Sequence, residues 1–116
     1  MTNEEIIVRR DLLGRLGEVR GKFGWYIYRN SKILTEACAE AVKLRDDAIR
    51  KYGEDDSINP QSEKWEQYLA EVSPVMQIEQ DVTLMKMPRA EFDELAKDAD
   101  LSAVELSIMD ATIVEE

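Results

Sequence analysis

Apolar positions recur at helical spacing along most of the chain. From Phe23 through Ile27, Asn30, Leu34, Ala37, Ala41, Leu44 and Ala48 to Tyr52, steps of three and four follow one another. That rhythm marks a helix that lays one continuous edge against a partner, within the chain or from another subunit. Gly53 closes the stripe, so one long helix is predicted over about 21–52, a rod of roughly 48 Å at 1.5 Å per residue. A shorter stripe, Ile6, Leu13 and Leu16 widened by Ile7 and Leu12, precedes it. Thr2-Asn-Glu-Glu5 reads as its capping box. Gly14 and Gly17 weaken this first helix, which should end or bend between Gly14 and Gly21.

After Gly53 comes a polar loop to Ser62. Asn59-Pro60 then reads as N-cap and first helical position of a helix with Trp65, Leu69 and Val72 on one face. Ser73-Pro74 should break or kink that helix. Residues 81–87 (DVTLMKM) alternate weakly and include β-branched side chains, which marks a short β-strand or hairpin near 80–87. Pro88 opens a short helix through Phe92 and Leu95. Ser102-Ala-Val-Glu105 is a second capping box, with Leu101 placed to staple onto Leu106. The expected fold is mainly α: residues 1–116 as a single small helical domain with one long central helix.

Composition narrows the chemistry. With 44% apolar and 34% charged residues over 116 positions, the chain suits a folded helical protein. No apolar run approaches the ~20 residues of a membrane span, and the acidic start Met-Thr-Asn-Glu-Glu lacks the features of a signal peptide. One cysteine, Cys38, leaves no intramolecular disulfide, and there is no histidine. Ser-His and Cys-His pairs and imidazole metal sites are thereby excluded, and a cytoplasmic setting is expected. Cys38 itself reads as a small packed residue. Phosphate loops of the GxGxxG and GxxxxGK[ST] kinds are absent, and Glu54-Asp55-Asp56 lacks the ligand spacing of a calcium loop. A non-enzyme is expected, with no catalytic residue, cofactor or metal.

Charge is divided unevenly. Residues 1–52 hold 11 Lys/Arg and 8 Asp/Glu, net +3, whereas residues 53–116 hold 4 and 17, net −13. So negative a field opposes general binding to a nucleic-acid backbone but leaves room for one basic site in the first half. Four of the eight aromatic residues occur there within six positions, in Arg20-Gly-Lys-Phe-Gly-Trp-Tyr-Ile-Tyr-Arg29, and four of the five glycines lie in or just before this run. On a helix, Phe23, Tyr26, Ile27 and Asn30 join the core stripe, while Trp25, Tyr28, Arg29 and Lys32 face the other way, with Arg20 and Lys22 near their N-terminal end. Rings beside cations suit a nucleotide, whose base stacks and whose phosphate pairs with Arg. The candidate ligand-binding set is therefore Arg20, Lys22, Trp25, Tyr28, Arg29 and Lys32. The alternative, which aromatic stripes more often turn out to be, is a packing surface against the first helix or a second subunit, with the cations left in solvent.

The order of signals also resembles a known family. The Thr2-Asn-Glu opening, the helix end Arg45-x-x-x-Ile49-x-Lys51-Tyr52-Gly53, the acidic loop, the tryptophan-bearing helix, the strand-like piece and the closing Leu101-Ser-x-x-Glu105-Leu resemble small proteins, without an agreed activity, carried by tailed phages and prophages of Gram-positive bacteria. The resemblance covers nearly the whole chain, but its motifs are helix caps and core positions. It implies a phage origin and the cytoplasm of a host bacterial cell, and carries over no functional residue. Three functions fit. The first is a non-enzymatic anti-defence protein that acts as a sponge for an anionic, nucleotide-derived ligand. The second is an acidic nucleic-acid mimic that inhibits a host nuclease, DNA-binding factor or other host defence protein. The third is a structural or assembly helper. The first is narrowly preferred. A homo-oligomer is expected as well, because the long helix outruns a compact core and carries the small residues Ala37, Cys38, Ala39 and Ala41.

Overall fold

The fold is organised by a single helix longer than any core it could wrap. In the computed structural model, which describes residues 1–115, the elements are α1 (Asn3–Gly14), α2 (Gly21–Tyr52), α3 (Trp65–Met76), α4 (Arg89–Lys97) and α5 (Ala103–Ile113). Together they make 66% of the chain helical. At 1.5 Å per residue the 32 residues of α2 span about 48 Å, close to the molecule's long dimension in its 52 × 27 × 19 Å extents. The radius of gyration, 17.0 Å, exceeds the roughly 13 Å of a compact chain of this size. The shape is thus a consequence of α2.

The shortest extent is two helix diameters. Phe23, Asn30, Leu34, Cys38, Ala41 and Ala48 are the buried positions of α2. Packed with them are Ile6, Ile7 and Leu13 of α1, Tyr68, Val72 and Met76 of α3, Phe92 of α4, and Met109 and Ile113 of α5. The expected stripe is present, with one adjustment: Cys38 is fully buried while Leu44 lies at the rim, 37% exposed. Ala41 is buried and Ala37 half-buried against the core, and the Ala37 carbonyl accepts from the Gln80 side chain at 2.8 Å. The small-residue patch expected to meet a second subunit is therefore occupied within the chain at these two positions. Only Ala39 of that group is exposed.

Helix ends follow local chemistry. Thr2 Oγ1 accepts from the Glu5 amide at 3.1 Å and its hydroxyl donates to the Glu5 carboxylate at 3.2 Å. At Ser102 the capping box is complete in both directions. α1 ends at Gly14, and α2 closes with the Gly53 amide donating to the Ile49 carbonyl. At α3 the expected cap is not formed, and the helix is not broken where Ser73-Pro74 stands. Asn59 Oδ1 accepts from the Gln61 amide at 2.9 Å, making a local turn that uses up the cap, and the helix starts only at Trp65. Pro74 does not break it. It sits in the last turn, facing solvent, where the lost backbone bond is cheap, and α3 runs on to Met76.

The strand or hairpin expected near 80–87 is absent among the described residues. That stretch is extended but has no strand partner; single backbone bridges join Thr2 to Glu79 and Met87 to Val114. Its alternation has another cause. Val82, Leu84 and Met87 pack onto the helices, while the backbone at Met85 is satisfied by the side chain of Asn30.

Candidate functional site

The N-terminal turns of α2 carry the aromatic run, and the chain before them explains its glycines. Gly21, with φ +71°, lies in the left-handed region where a side chain would be strained. Gly24 is needed for a different reason. The segment joining α1 to α2 crosses the first turn of α2 so closely that a Cβ on Gly24 would run into the Val19 carbonyl oxygen. The space beside Gly24 is thus filled by the chain itself.

The rings divide as the helical spacing requires. Phe23 is buried against Phe92 of α4, with ring centroids 5.7 Å apart, and Tyr26 packs partly against the core. Trp25 and Tyr28 stand in solvent, 53% and 58% exposed. Their centroids are 6.4 Å apart with planes tilted by 38°. The Arg29 guanidinium lies over the Trp25 ring, 5.5 Å from its centroid. Beyond this cation–π contact, Arg29 makes no hydrogen bond or ion pair among the described residues, and its Nε is buried without an acceptor. One positive charge is thus held beside two exposed rings and not neutralised.

The other candidates are not part of this group. Lys22 pairs with Glu91 of α4, and that carboxylate holds its ammonium above the usual lysine range. Its position tethers α4 to α2. Arg20 is 89% exposed and pairs loosely with Glu18 at 3.5 Å. Lys32 is exposed one turn beyond Tyr28 and makes no ion pair among the described residues. The structure therefore brings together Trp25, Tyr28 and Arg29. A cleft of about 490 Å³ between α1 and α5 is lined by Val8, Leu12 and Thr112. None of the six candidates lines this cleft or the main clefts elsewhere among the described residues. The aromatic group is an open face.

Elsewhere, Cys38 is buried with Arg10 Nη1 3.6 Å from its sulfur, a packed thiol out of reach of a substrate. The acidic loop closes on itself through two backbone bonds between Glu54 and Ser57. Among the described residues no cluster of His, Cys, Asp and Glu is arranged to hold a metal ion. No helix there is long and apolar enough to cross a membrane. Neither a family model, nor a curated protein, nor a solved structure matches the chain.

Proposed function

We propose that the chain is a non-enzymatic binding protein whose working surface is the Trp25–Tyr28–Arg29 face of α2. Its ligand is a flat, anionic, nucleotide-derived molecule, and the biological setting is a phage protein that lowers the free concentration of a host defence signal. The observation that carries this reading is the uncommitted Arg29 charge held over the ring of an exposed tryptophan, with a second exposed ring beside it. A base stacks on an aromatic face irrespective of its identity, and a guanidinium binds phosphate with two parallel hydrogen bonds. Rings left this far in solvent add little burial to the fold, so their exposure favours a role in recognition.

An acidic inhibitor of a basic host protein is the second reading. In its favour, Asp93, Asp98 and Asp100 around α4 are exposed and make no ion pair among the described residues.

Titration of tryptophan fluorescence with mono- and cyclic dinucleotides tests the first reading. Saturable quenching that disappears in Trp25→Phe, with Trp65 left in place, is the expected result. A co-purifying nucleotide, released by heat and absorbing near 260 nm, would agree with it. No quenching across the panel, together with capture of a basic host protein, would sink the first reading in favour of the second.

A further inference from the structure

α2 has a bare side along its whole length. Opposite the buried row, Tyr28, Lys32, Glu36, Ala39, Lys43 and Arg50 are all exposed, and steps of three and four place them on one face. The buried positions of α2, which pack against the other helices, lie on the opposite side, although Lys43 borders a cleft that also includes Glu71 of α3. Three charges on this face, Lys32, Glu36 and Lys43, make no ion pair among the described residues. Ala39, at the middle of the row, is the only one small enough to let another backbone approach to about 8 Å.

We propose that this face docks a second copy of the chain, α2 against α2, antiparallel about a two-fold axis at Ala39. Charge complementarity selects the partner and its direction. In a parallel pair each residue would meet its own copy, setting Lys32 on Lys32 and Lys43 on Lys43. In the antiparallel pair, residue numbers across the axis sum to about 78–79. Glu36 then faces Lys43 of the partner subunit, and Lys32 faces Asp46 and Asp47 of the partner subunit, each contact occurring twice. All three unpaired charges find partners, and the two Ala39 residues meet where the helices cross. The same register carries the partner's Arg50 beside Tyr28. If the ligand reading holds, each ring pair thereby gains a wall and a second cation; that consequence rests on the reading above, whereas the dimer does not.

Light scattering at micromolar concentration should give about twice the chain mass. Ala39→Cys should form a disulfide-linked dimer on mild oxidation, whereas Thr35→Cys and the wild type, whose Cys38 is buried, should not. Lys43→Glu should yield a folded monomer, and Glu36→Lys combined with Lys43→Glu should restore the dimer. A wild-type monomer overturns the proposal, as does a dimer that survives Lys43→Glu or that cross-links through Thr35→Cys and not Ala39→Cys. An intact dimer that binds no nucleotide counts against the ligand reading alone.

Discussion

The side chain of Asn30 binds the backbone of Met85 as a neighbouring strand would. Its Nδ2 donates to the Met85 carbonyl and its Oδ1 accepts from the Met85 amide, both at 2.8 Å. Asn30 is fully buried, so neither group has water to fall back on. Asn30→Ala should cost about 1–3 kcal/mol, because the half-buried Met85 peptide loses both partners. Asn30→Asp should cost at least as much, since a carboxylate would face the Met85 carbonyl. Urea unfolding monitored by circular dichroism measures both, and a loss below about 0.5 kcal/mol for either variant would contradict the role assigned to Asn30.

Two glycines on helices should respond to alanine with opposite sign. Gly14, the last residue of α1, has open space where a Cβ would go, so Gly14→Ala should stabilise by at most about 1 kcal/mol through helix propensity. Gly24→Ala gains the same propensity but must displace the Val19 carbonyl, and overpacking of this kind costs about 1–3 kcal/mol. Thermal melts should rise for the first variant and fall for the second.

These sites also show what was readable in the sequence. Caps are local: Thr2 with Glu5, Ser102 with Glu105 and Gly53 act within one turn, so their spacing alone locates helix ends. The core stripe of α2 is local for the same reason. Asn30 stood in that stripe as a polar residue among apolar ones, a signal that something specific must satisfy it, but its partner is 55 positions away. Period-two alternation at 81–87 reported packing on one side, which a strand and an extended strap share. Lys22 read as part of the cationic cluster because Glu91, its partner, is likewise distant in sequence. The glycines clustered visibly in the sequence, but nothing local showed that Gly24 makes room for the Val19 carbonyl.

Two carboxylates should shape the acid limb of stability. Glu71 accepts from the Tyr52 hydroxyl at 2.7 Å and from Lys51 at 3.0 Å, and these bonds, the tyrosine's foremost, hold it below its ordinary pKa. Arg89 does the same for Asp110 at 2.8 Å. A carboxylate lowered in the folded state stabilises above its unfolded pKa, and that contribution is lost as pH falls through the folded value. Stability should therefore be level near neutrality and decline below the ordinary carboxylate range. Glu71→Gln combined with Asp110→Asn should flatten part of that decline. Both groups are exposed, so the change is small, and denaturant midpoints at several pH values are the appropriate measurement. An unchanged acid limb would show that the two pairs exist without contributing.

The open aromatic face makes the sharpest separation between folding and binding. Trp25 and Tyr28 are more than half exposed, so Tyr28→Ala should change stability by less than about 0.5 kcal/mol. If a base stacks on that ring, the same change should weaken nucleotide binding by about 1–3 kcal/mol. Arg29→Gln retains much of the aliphatic stem while removing the charge, and should abolish binding if the guanidinium holds a phosphate. Lys22→Gln should act differently: its ammonium is committed to Glu91, so the attachment of α4 loosens while affinity changes little. Under the acidic-inhibitor reading this ranking inverts, and Asp93→Lys with Asp98→Lys abolishes activity while the aromatic variants keep it. Calorimetric titration of the four variants against nucleotides and against a basic host protein distinguishes the two patterns. Loss of binding in Lys22→Gln equal to that in Arg29→Gln would place the anion nearer the helix start and move the site away from the exposed rings.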